Sequence, residues 1–265
     1  MSDASPLPPI TEGTLFEGAL RFAQPASGYR AAIDGLLLAY FSPVSRRLAV
    51  DLGAGAGMVS LALLAHGRAT KLLAIEQDAA TARILAKNLA DNAFASAVVA
   101  VGAVDHVARS HRGAADLVVA NPPYFREGAS TGSANQHYEQ SVRAADPLGP
   151  FVRAARLLLG RQGRVCVVFP SRDLEVLVDA LAAKDLHPRR MVFVHPRADE
   201  PAHRVLVECS VGRPGGLVVE PPWTLHTGAL DEAGQIVESA LLRAVTRDRP
   251  SGLVDRSTTL LDERG

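Results

Sequence analysis

The sequence Asn121-Pro122-Pro123-Tyr124 is the most specific chemical pattern in the chain. The exocyclic amine of adenine is a poor nucleophile because its lone pair is delocalised into the ring, and acceptors for both of its N–H groups free that lone pair. The side-chain oxygen of Asn121 and the carbonyl oxygen of Pro122 are two such acceptors, in a turn that the prolines stiffen. An aromatic face next to them can stack on a base, which is worth about 1–3 kcal/mol. The predicted catalytic residues are Asn121, Pro122 and Tyr124, and the predicted substrate contacts are Pro123, Tyr124 and Phe125.

A proline turn that merely ends a strand is the simpler alternative for this pattern. The chain contains a second sequence of this kind, Pro221-Pro222-Trp223, but Glu220 stands there in place of the asparagine. We interpret the second sequence as a structural turn. The first one is distinguished by its position after a buried strand and by the glycine loop that occurs earlier in the chain.

Three alternating glycines, Gly53, Gly55 and Gly57, follow Asp51 at the end of an apolar run and open a helical pattern. Glycine lets a backbone adopt positive φ and lets a ligand approach closely. A plain glycine-rich turn is the alternative, and no P-loop lysine follows that would point to ATP. The acid-x-Gly-x-Gly-x-Gly spacing resembles motif I of S-adenosyl-L-methionine (SAM) methyltransferases. The resemblance implies that SAM is the cofactor and that Asp51 holds its methionine end, directly or through water.

Two further acidic residues are candidates for the same cofactor site. Glu76 ends the second strand, where a carboxylate can accept hydrogen bonds from both hydroxyls of a ribose. Its alternative role is to interact with the N-terminus of the helix that begins near Asp78. Asp105 follows the third strand, where an acid would face the adenine of SAM, although an ordinary surface aspartate fits the position too. Asn121 completes the predicted cofactor contacts at this edge.

Short β-type runs alternate with helical patterns from Arg47 onward, which favours a parallel sheet with helices on both faces. The last two strands have only a short polar link between them, so we expect an antiparallel pair. The prediction is an α/β fold with a doubly wound, mostly parallel seven-stranded sheet and an antiparallel terminal hairpin, the Rossmann-like layout of class I methyltransferases. Ligands bind such sheets at the carboxyl ends of the strands. The predicted strands are 47–53, 71–77, 96–104, 115–123, 163–170, 188–196 and 203–212.

The helical patterns between these strands have recognisable start and stop residues. Asp78 is the predicted N-cap of a helix over 78–92, and Ser171 is the predicted N-cap of a helix that reaches Lys184. Outside the core we predict an N-terminal hairpin and helix over 1–46, a SAM-dependent methyltransferase domain over 47–230, and a C-terminal helix with a loose tail over 231–265.

Two segments that flank the generic motifs resemble one bacterial family, whose members methylate the 6-amino group of an adenine beside the anticodon of a valine tRNA. The late segment VHPRADEPAHRVLVECSVG is similar to a strand pair of that family, and the resemblance covers about residues 11–230. It implies a tRNA anticodon loop as substrate, and it implies that Arg30 and Asp34 help to close the SAM site. The matching early residues are Gln24, Pro25, Gly28, Tyr29, Arg30, Asp34, Leu37, Leu38 and Ala39.

The composition limits the partners and the compartment. The 28 Lys+Arg and 28 Asp+Glu residues cancel, which argues against strong non-specific binding to nucleic acid but not against a local basic face. No apolar run approaches the roughly 20 residues of a membrane span, and the first residues lack the pattern of a signal peptide. We expect a cytoplasmic protein that acts on tRNA, with no DNA, membrane or obligate protein partner. The candidate RNA-phosphate cations are Arg126, Arg143, Arg189, Arg190, Arg197 and Arg204.

Cysteine usage is consistent with a reducing compartment. Cys166 and Cys209 both lie in apolar runs, so we predict buried, reduced thiols. Two cysteines with no paired spacing and no clustered histidines do not form a structural zinc site, and no metal is expected.

Three other functions are compatible with parts of the sequence. A glutamine N5-methyltransferase of release factors shares the Asn-Pro-Pro-Tyr sequence, but that family carries a larger helical N-terminal domain. An rRNA guanine N2-methyltransferase usually has phenylalanine in the last position. A non-catalytic SAM- or RNA-binding protein would not need the complete set of motif residues found here.

Overall fold

The computed structural model describes residues 9–26, 33–123, 146–230, 236–248, 250 and 253. Short apolar runs rich in Val, Ile and Leu form its strands, because such residues pack well on a pleated surface. The described strands are β1 (Ile10–Leu15), β2 (Leu20–Pro25), β3 (Ala49–Leu52), β4 (Leu72–Glu76), β5 (Ala97–Val101), β6 (Ala115–Ala120), β7 (Leu159–Pro170), β8 (Leu186–His195), β9 (Arg204–Val211), β10 (Val218–Val219), β11 (Trp223–Thr224), β12 (His226–Leu230) and β13 (Ile236–Glu238).

A nine-stranded sheet forms the centre of the molecule, in the order β10-β8-β9-β7-β6-β3-β4-β5, with β11 beside β8. The strands from β7 to β5 in that order run parallel, and β9 is antiparallel to both β7 and β8. Val50 of β3, for example, pairs with Leu73 and Val118 on its two sides. The predicted seven-stranded, mostly parallel sheet with its antiparallel pair is confirmed, and two short strands extend it at the β8 edge.

Helices cover both faces of this sheet. Buried residues of the first three helices share one apolar core with the N-terminal hairpin, whereas those of the next three helices form a second core on the other face. None of the described helices has the length and apolar character needed to cross a bilayer. The described helices are α1 (Ile33–Phe41), α2 (Met58–Ala65), α3 (Ala79–Asp91), α4 (Val104–Arg109), α5 (Gly149–Leu158), α6 (Leu174–Ala182) and α7 (Ala240–Thr246).

The N-terminal hairpin β1–β2 is fastened to α3 by two asparagines one helical turn apart. The Asn88 amide accepts from the Ala23 backbone N–H at 2.8 Å and donates to the Ala23 carbonyl at 2.7 Å. Asn92 makes the same pair of bonds with Arg21, at 2.9 and 2.7 Å. Asn88 alone of the two also donates to the Ala56 carbonyl, at 2.8 Å, in the glycine loop. The two amides thus take the place of a third strand beside β2.

An aromatic cluster joins the hairpin to the rest of the first core. His66, at the end of α2, lies between the Phe16 and Tyr40 rings, with centroid distances of 5.1 and 6.0 Å. Trp223 meets Tyr40 and Phe41 edge-on at 5.8 and 6.0 Å. The Pro-Pro-Trp sequence therefore serves packing, and Trp223 begins the short strand β11 rather than lying in the predicted turn.

Several local predictions are wrong in detail. Ser171 does not cap the following helix; its hydroxyl donates to the Ala202 carbonyl, and a 3₁₀ turn precedes α6. The strand predicted over 96–104 is β5, and it ends at Val101. Gly102 leaves the extended region with φ 153° and donates its N–H to the Glu76 carbonyl. The strands β12 and β13 pair on either side of position 230, and the predicted domain boundary there stays a prediction.

The two cysteines are buried and free, as predicted. Burial raises the pKa of the Cys209 thiol to about 12 and that of the Cys166 thiol as well. Both thiols are therefore protonated and unreactive at neutral pH.

Candidate active site

The glycine loop between β3 and α2 has a shape that requires glycine. Gly53, Gly55 and Gly57 all have positive φ, at 67°, 55° and 95°. A Cβ atom on Gly57 would lie 2.3 Å from Leu85 Cδ1, and one on Gly53 would lie 2.9 Å from Phe151 Cε1. A Cβ atom on Gly55 would meet nothing within 4 Å. The loop is therefore packed on two sides and open at its middle glycine, where a ligand can approach the backbone.

Glu76, at the carboxyl end of β4, holds this loop in place. Its Oε2 accepts from the Gly55 N–H at 2.8 Å, and its Oε1 accepts from the Asp78 N–H at 2.9 Å. Asp78 in turn caps α3 by accepting from the Thr81 N–H at 2.7 Å, which confirms that predicted cap. The Glu76 side chain thus organises the loop and the entry to α3, and each carboxylate oxygen keeps a lone pair for a further donor.

Asp51 lies on β3 directly below the loop and is 1% exposed. Its Oδ2 accepts from the Ser60 hydroxyl at 2.7 Å. Burial raises the pKa of Asp51 to about 7, the Ser60 hydrogen bond opposes the rise, and the negative charge of Glu76 adds to it. Asp51 therefore holds its proton more tightly than an exposed aspartate does, and a cation placed over the loop would favour its ionised form.

Asn121 and Pro122 follow β6 at the same edge of the sheet. The Asn121 Oδ1 atom is buried and has no hydrogen-bond partner among the described residues. A buried acceptor left without a donor costs about 1–3 kcal/mol, so such atoms point to a missing ligand. Pro122 is buried and Pro123 is exposed. The predicted substrate contacts Tyr124 and Phe125 lie outside the described residues.

The first turn of α1 brings Asp34 to this region. Asp34 is 3% exposed, and its Oδ2 accepts from Arg204 Nε at 3.0 Å. Gly35 packs against the start of α2, where a Cβ atom would lie 3.0 Å from Met58 Cγ. The ion pair therefore ties α1, beside the glycine loop, to the start of β9. Arg30, the other residue predicted to close the site, lies outside the described residues.

Asp105 lies in the first turn of α4, and Arg153 of α5 faces it. Arg153 Nη2 is 4.0 Å from Asp105 Oδ2, and Arg153 Nη1 is 3.8 Å from Asp146 Oδ2. Phe151, two residues before this arginine, is the side chain that packs on Gly53. The predicted adenine contact of Asp105 stays a prediction, and α5 is the element that borders it.

The described arginines that the sequence proposed as phosphate ligands are engaged within the chain. Arg190 donates from Nε to Glu208 at 2.9 Å and from Nη1 to Glu220 at 3.1 Å, and its guanidinium lies 3.9 Å from the centre of the Phe41 ring. Glu208 is buried and depends on this partner, so Arg190 could bind a phosphate only by sharing or leaving its carboxylates, and its candidate role stays a prediction. Arg204 pairs with Asp34, Arg197 pairs with Asp199 and Glu200, and Arg189 donates to Ser210 and to the Arg213 and Gly215 carbonyls. Arg126 and Arg143 lie outside the described residues.

Sequence reasoning missed two residues of this site, Ser60 and Asn88. Ser60 is a polar residue in the otherwise apolar helix α2, and Asn88 and Asn92 recur at helical spacing in α3. Serine and asparagine are poor helix formers, so each position carried a signal that its side chain has a specific partner.

Comparison with known proteins decides the family. The model of the methyltransferase small domain family matches residues 33–172, a stretch that contains the glycine loop, Glu76 and Asn121. The chain belongs to this family. Its fold and cofactor follow from that membership: it is a class I methyltransferase that uses SAM.

Curated relatives extend the match beyond the family segment. The methyltransferase is 30% identical over 184 residues to a protein of Serratia proteamaculans named tRNA1(Val) (adenine(37)-N6)-methyltransferase. The aligned region covers 67% of this chain and 69% of the relative. A protein of the same name from Pectobacterium carotovorum is 29% identical over 185 residues, which covers 68% of this chain and 74% of the relative.

Solved structures share the fold. A protein of Agrobacterium tumefaciens described as a predicted O-methyltransferase superposes with a TM-score of 0.63 at 21% identity, over 80% of this chain and 94% of that one. The tRNA m1G37 methyltransferase of M. jannaschii superposes with a TM-score of 0.50 at 15% identity, over 79% of this chain and 59% of that one.

The residues present in this methyltransferase fit SAM. The loop is open above Gly55, and Glu76 supplies a carboxylate beside it. SAM carries a positive sulfonium, which would favour the ionised form of Asp51 beneath the loop. The unsatisfied Asn121 Oδ1 lies at the neighbouring strand end, where the acceptor of the methyl group must approach. The assignment of individual contacts to Asp51, Glu76, Asp105 and Asp34 remains a prediction.

Proposed function

We propose that this methyltransferase transfers the methyl group of SAM to the exocyclic 6-amino group of an adenine in the anticodon loop of a tRNA. The observation that carries the proposal is the buried Asn121 Oδ1, which has no hydrogen-bond partner among the described residues. A group that enters this position must donate a hydrogen bond, and the 6-amino group of adenine has two N–H donors. The names of the curated relatives support the same substrate, which would place the enzyme in the cytoplasm.

The described residues would act by position and by hydrogen bonding. Asn121 Oδ1 and the Pro122 carbonyl accept the two amine N–H groups and favour tetrahedral nitrogen, whose lone pair is then free. Bound SAM would supply an electrophilic methyl carbon on a positively charged sulfur, and the sulfur would be the leaving group that keeps the electrons of the C–S bond. The extra proton leaves from the resulting cationic amine to solvent. Asn121 and Pro122 follow β6 on a rigid, buried strand end, so these acceptors need no reorganisation during the reaction.

The substrate class is tested by methyl transfer from tritiated SAM to bulk tRNA, to rRNA and to a release factor in parallel. We expect incorporation into tRNA, recovered as N6-methyladenosine after nuclease digestion. Incorporation into a glutamine side chain, or into guanine of rRNA, would replace the proposal by the corresponding alternative. SAM binding without transfer to any of the three would point to a binding protein.

A further inference from the structure

The loops at the amino ends of the parallel strands form a basic surface on the side of the sheet opposite to the candidate active site. We call this surface the amino edge, and it comprises residues 43–48, 66–71 and 109–116 together with residues 159–163, which are the first residues of β7. It holds one carboxylate, Asp116, in a chain whose charges cancel overall. Its seven cations are Arg46, Arg47, Arg68, Lys71, Arg109, Arg112 and Arg161.

Backbone and side-chain hydrogen bonds make these loops one continuous surface. The Arg47 guanidinium donates to the Gly113 and Ala114 carbonyls at 3.1 and 3.0 Å. The Ser45 N–H donates to the Arg68 carbonyl at 2.7 Å. The amino ends of β7, β6, β3 and β4 are neighbours in the sheet, so the loops that precede them lie side by side.

The single carboxylate of the amino edge, that of Asp116, holds the backbone of residues 45–48 in place through hydrogen bonds. Asp116 accepts from the Ser45 hydroxyl at 2.5 Å and from the backbone N–H groups of Arg46, Arg47 and Leu48 at 2.7 to 3.1 Å. These bonds lower the pKa of Asp116 against the opposing effect of its partial burial. The carboxylate thus fixes the backbone that carries two of the arginines and forms no ion pair with the cations around it.

The seven cations lack carboxylate partners in the described part of the chain, although the Arg47 and Arg68 guanidinium groups donate to backbone carbonyls. None of them forms an ion pair with a described carboxylate, and all except Arg68 belong to exposed residues. The situation is reversed in β8, β9 and the link between them, where Arg190, Arg197 and Arg204 are already paired with carboxylates. Unpaired guanidinium groups suit phosphate, because their planar fork of N–H donors can bond two phosphate oxygens at once.

We propose that the amino edge binds the phosphate backbone of the RNA substrate at a distance from the target base. This inference rests on the proposed function, because it assumes an RNA larger than its target loop. The six residues of β6 separate the two edges by about 20 Å of extended chain. A folded RNA can place one loop at the carboxyl ends of the strands while a helical arm lies along the domain and reaches the amino edge.

The proposal is tested with the double variant Arg112→Gln/Arg161→Gln. For intact tRNA we expect roughly ten-fold weaker binding at physiological salt, and a log–log salt slope reduced in magnitude by about 2, since each lost phosphate contact removes close to one unit. Binding is measured by filter retention at four salt concentrations. Methyl transfer to the isolated anticodon stem-loop should be much less affected than transfer to intact tRNA, because the fragment lacks the other helical arms and offers the amino edge fewer phosphates.

The matched control is Arg21→Gln/Arg243→Gln, which removes the same charge from exposed residues of β2 and α7. Equal weakening of tRNA binding in both double variants would overturn the proposal, as would an unchanged salt slope in the first. A wild-type enzyme that methylates no tRNA would instead refute the proposed function, and the binding comparison would still decide whether the amino edge holds RNA.

Discussion

The two edges of the central sheet differ in charge and in which part of the chain is held in place, side chains at one edge and backbone at the other. At the carboxyl edge, residues 76–78, 102–105, 146–149 and 170–173 contain five carboxylates and one arginine, and the key carboxylate Glu76 is buried and bonded to backbone N–H groups. At the amino edge the side chains are exposed and basic, and the backbone beneath them is fixed. If the substrate is RNA, as proposed, the cationic cofactor and the polyanionic substrate have separate regions of complementary charge. The zero net charge of the chain conceals this polarity.

The largest expected effect is at the carboxyl edge, in Asn121→Ala. We expect turnover to fall about 10²–10³-fold, as it does when one preorganised polar group is removed from other active sites. Affinity for SAM, measured by calorimetry, should change little, because Asn121 follows β6 and does not shape the glycine loop. A variant that turns over at the wild-type rate would mean that this strand end is not the catalytic site.

Glu76→Ala should mainly weaken cofactor binding. It removes the acceptor of the Gly55 N–H as well as the predicted ribose contact, and each neutral hydrogen bond is worth about 0.5–1.5 kcal/mol. Roughly ten- to a hundred-fold weaker binding of SAM or its demethylated product is expected in calorimetry. Glu76→Gln serves as the matched control, since it keeps the shape and one acceptor oxygen. Equal affinities in all three proteins would contradict both roles of the carboxylate.

Asn88 and Asn92 offer a sharper comparison within one helix. Both amides hold β2, but only Asn88 also bonds the glycine loop, at the Ala56 carbonyl. Both alanine variants should lose stability in urea unfolding, by about 1–3 kcal/mol for the buried partners left unpaired. Only Asn88→Ala should also bind SAM more weakly and show faster amide exchange at residues 53–57. Parallel behaviour of the two variants would show that the loop does not depend on the Asn88 amide.

Asp51 makes the carboxyl edge sensitive to pH. Its pKa is raised from 3.8 to about 7 in the folded protein, so the folded state retains a proton that the unfolded chain releases between these values. The contribution of Asp51 to stability therefore falls as pH rises from about 4 to about 7 and is constant above that. The thermal midpoint of Asp51→Asn should therefore rise relative to that of the wild type as pH increases from about 4 to about 7. Each kcal/mol of difference in unfolding free energy corresponds to roughly 2–4 °C. A midpoint difference that is independent of pH would contradict the raised pKa.

Sequence patterns predicted most of the carboxyl edge, because close backbone approach and strand ends leave local signatures. The spacing of the glycines and the position of Glu76 after an apolar run were sufficient to place both at one strand edge. Ion pairs between side chains that are distant in the sequence leave no local sequence pattern. Arg190 appeared to be a free cation in the sequence, although Glu208 and Glu220 neutralise it in the fold.

The amino edge was missed for a related reason. Its cations occur in four short loops that are separated by whole helices and strands, and none of these loops is a basic run by itself. Only the parallel order of the sheet collects them on one surface. Asp116 is equally invisible in the sequence as an organiser, because its partners lie about 70 positions away.

The packing of Trp223 gives this enzyme an optical reporter. It is the single tryptophan of the chain, and its indole meets Tyr40 and Phe41 of α1, the helix whose first turn carries Asp34. Any rotation of α1 that accompanies ligand entry would change the surroundings of this one fluorophore. Its emission therefore follows the N-terminal side of the cofactor site in the unmodified protein, with no label and no second tryptophan to confuse the signal.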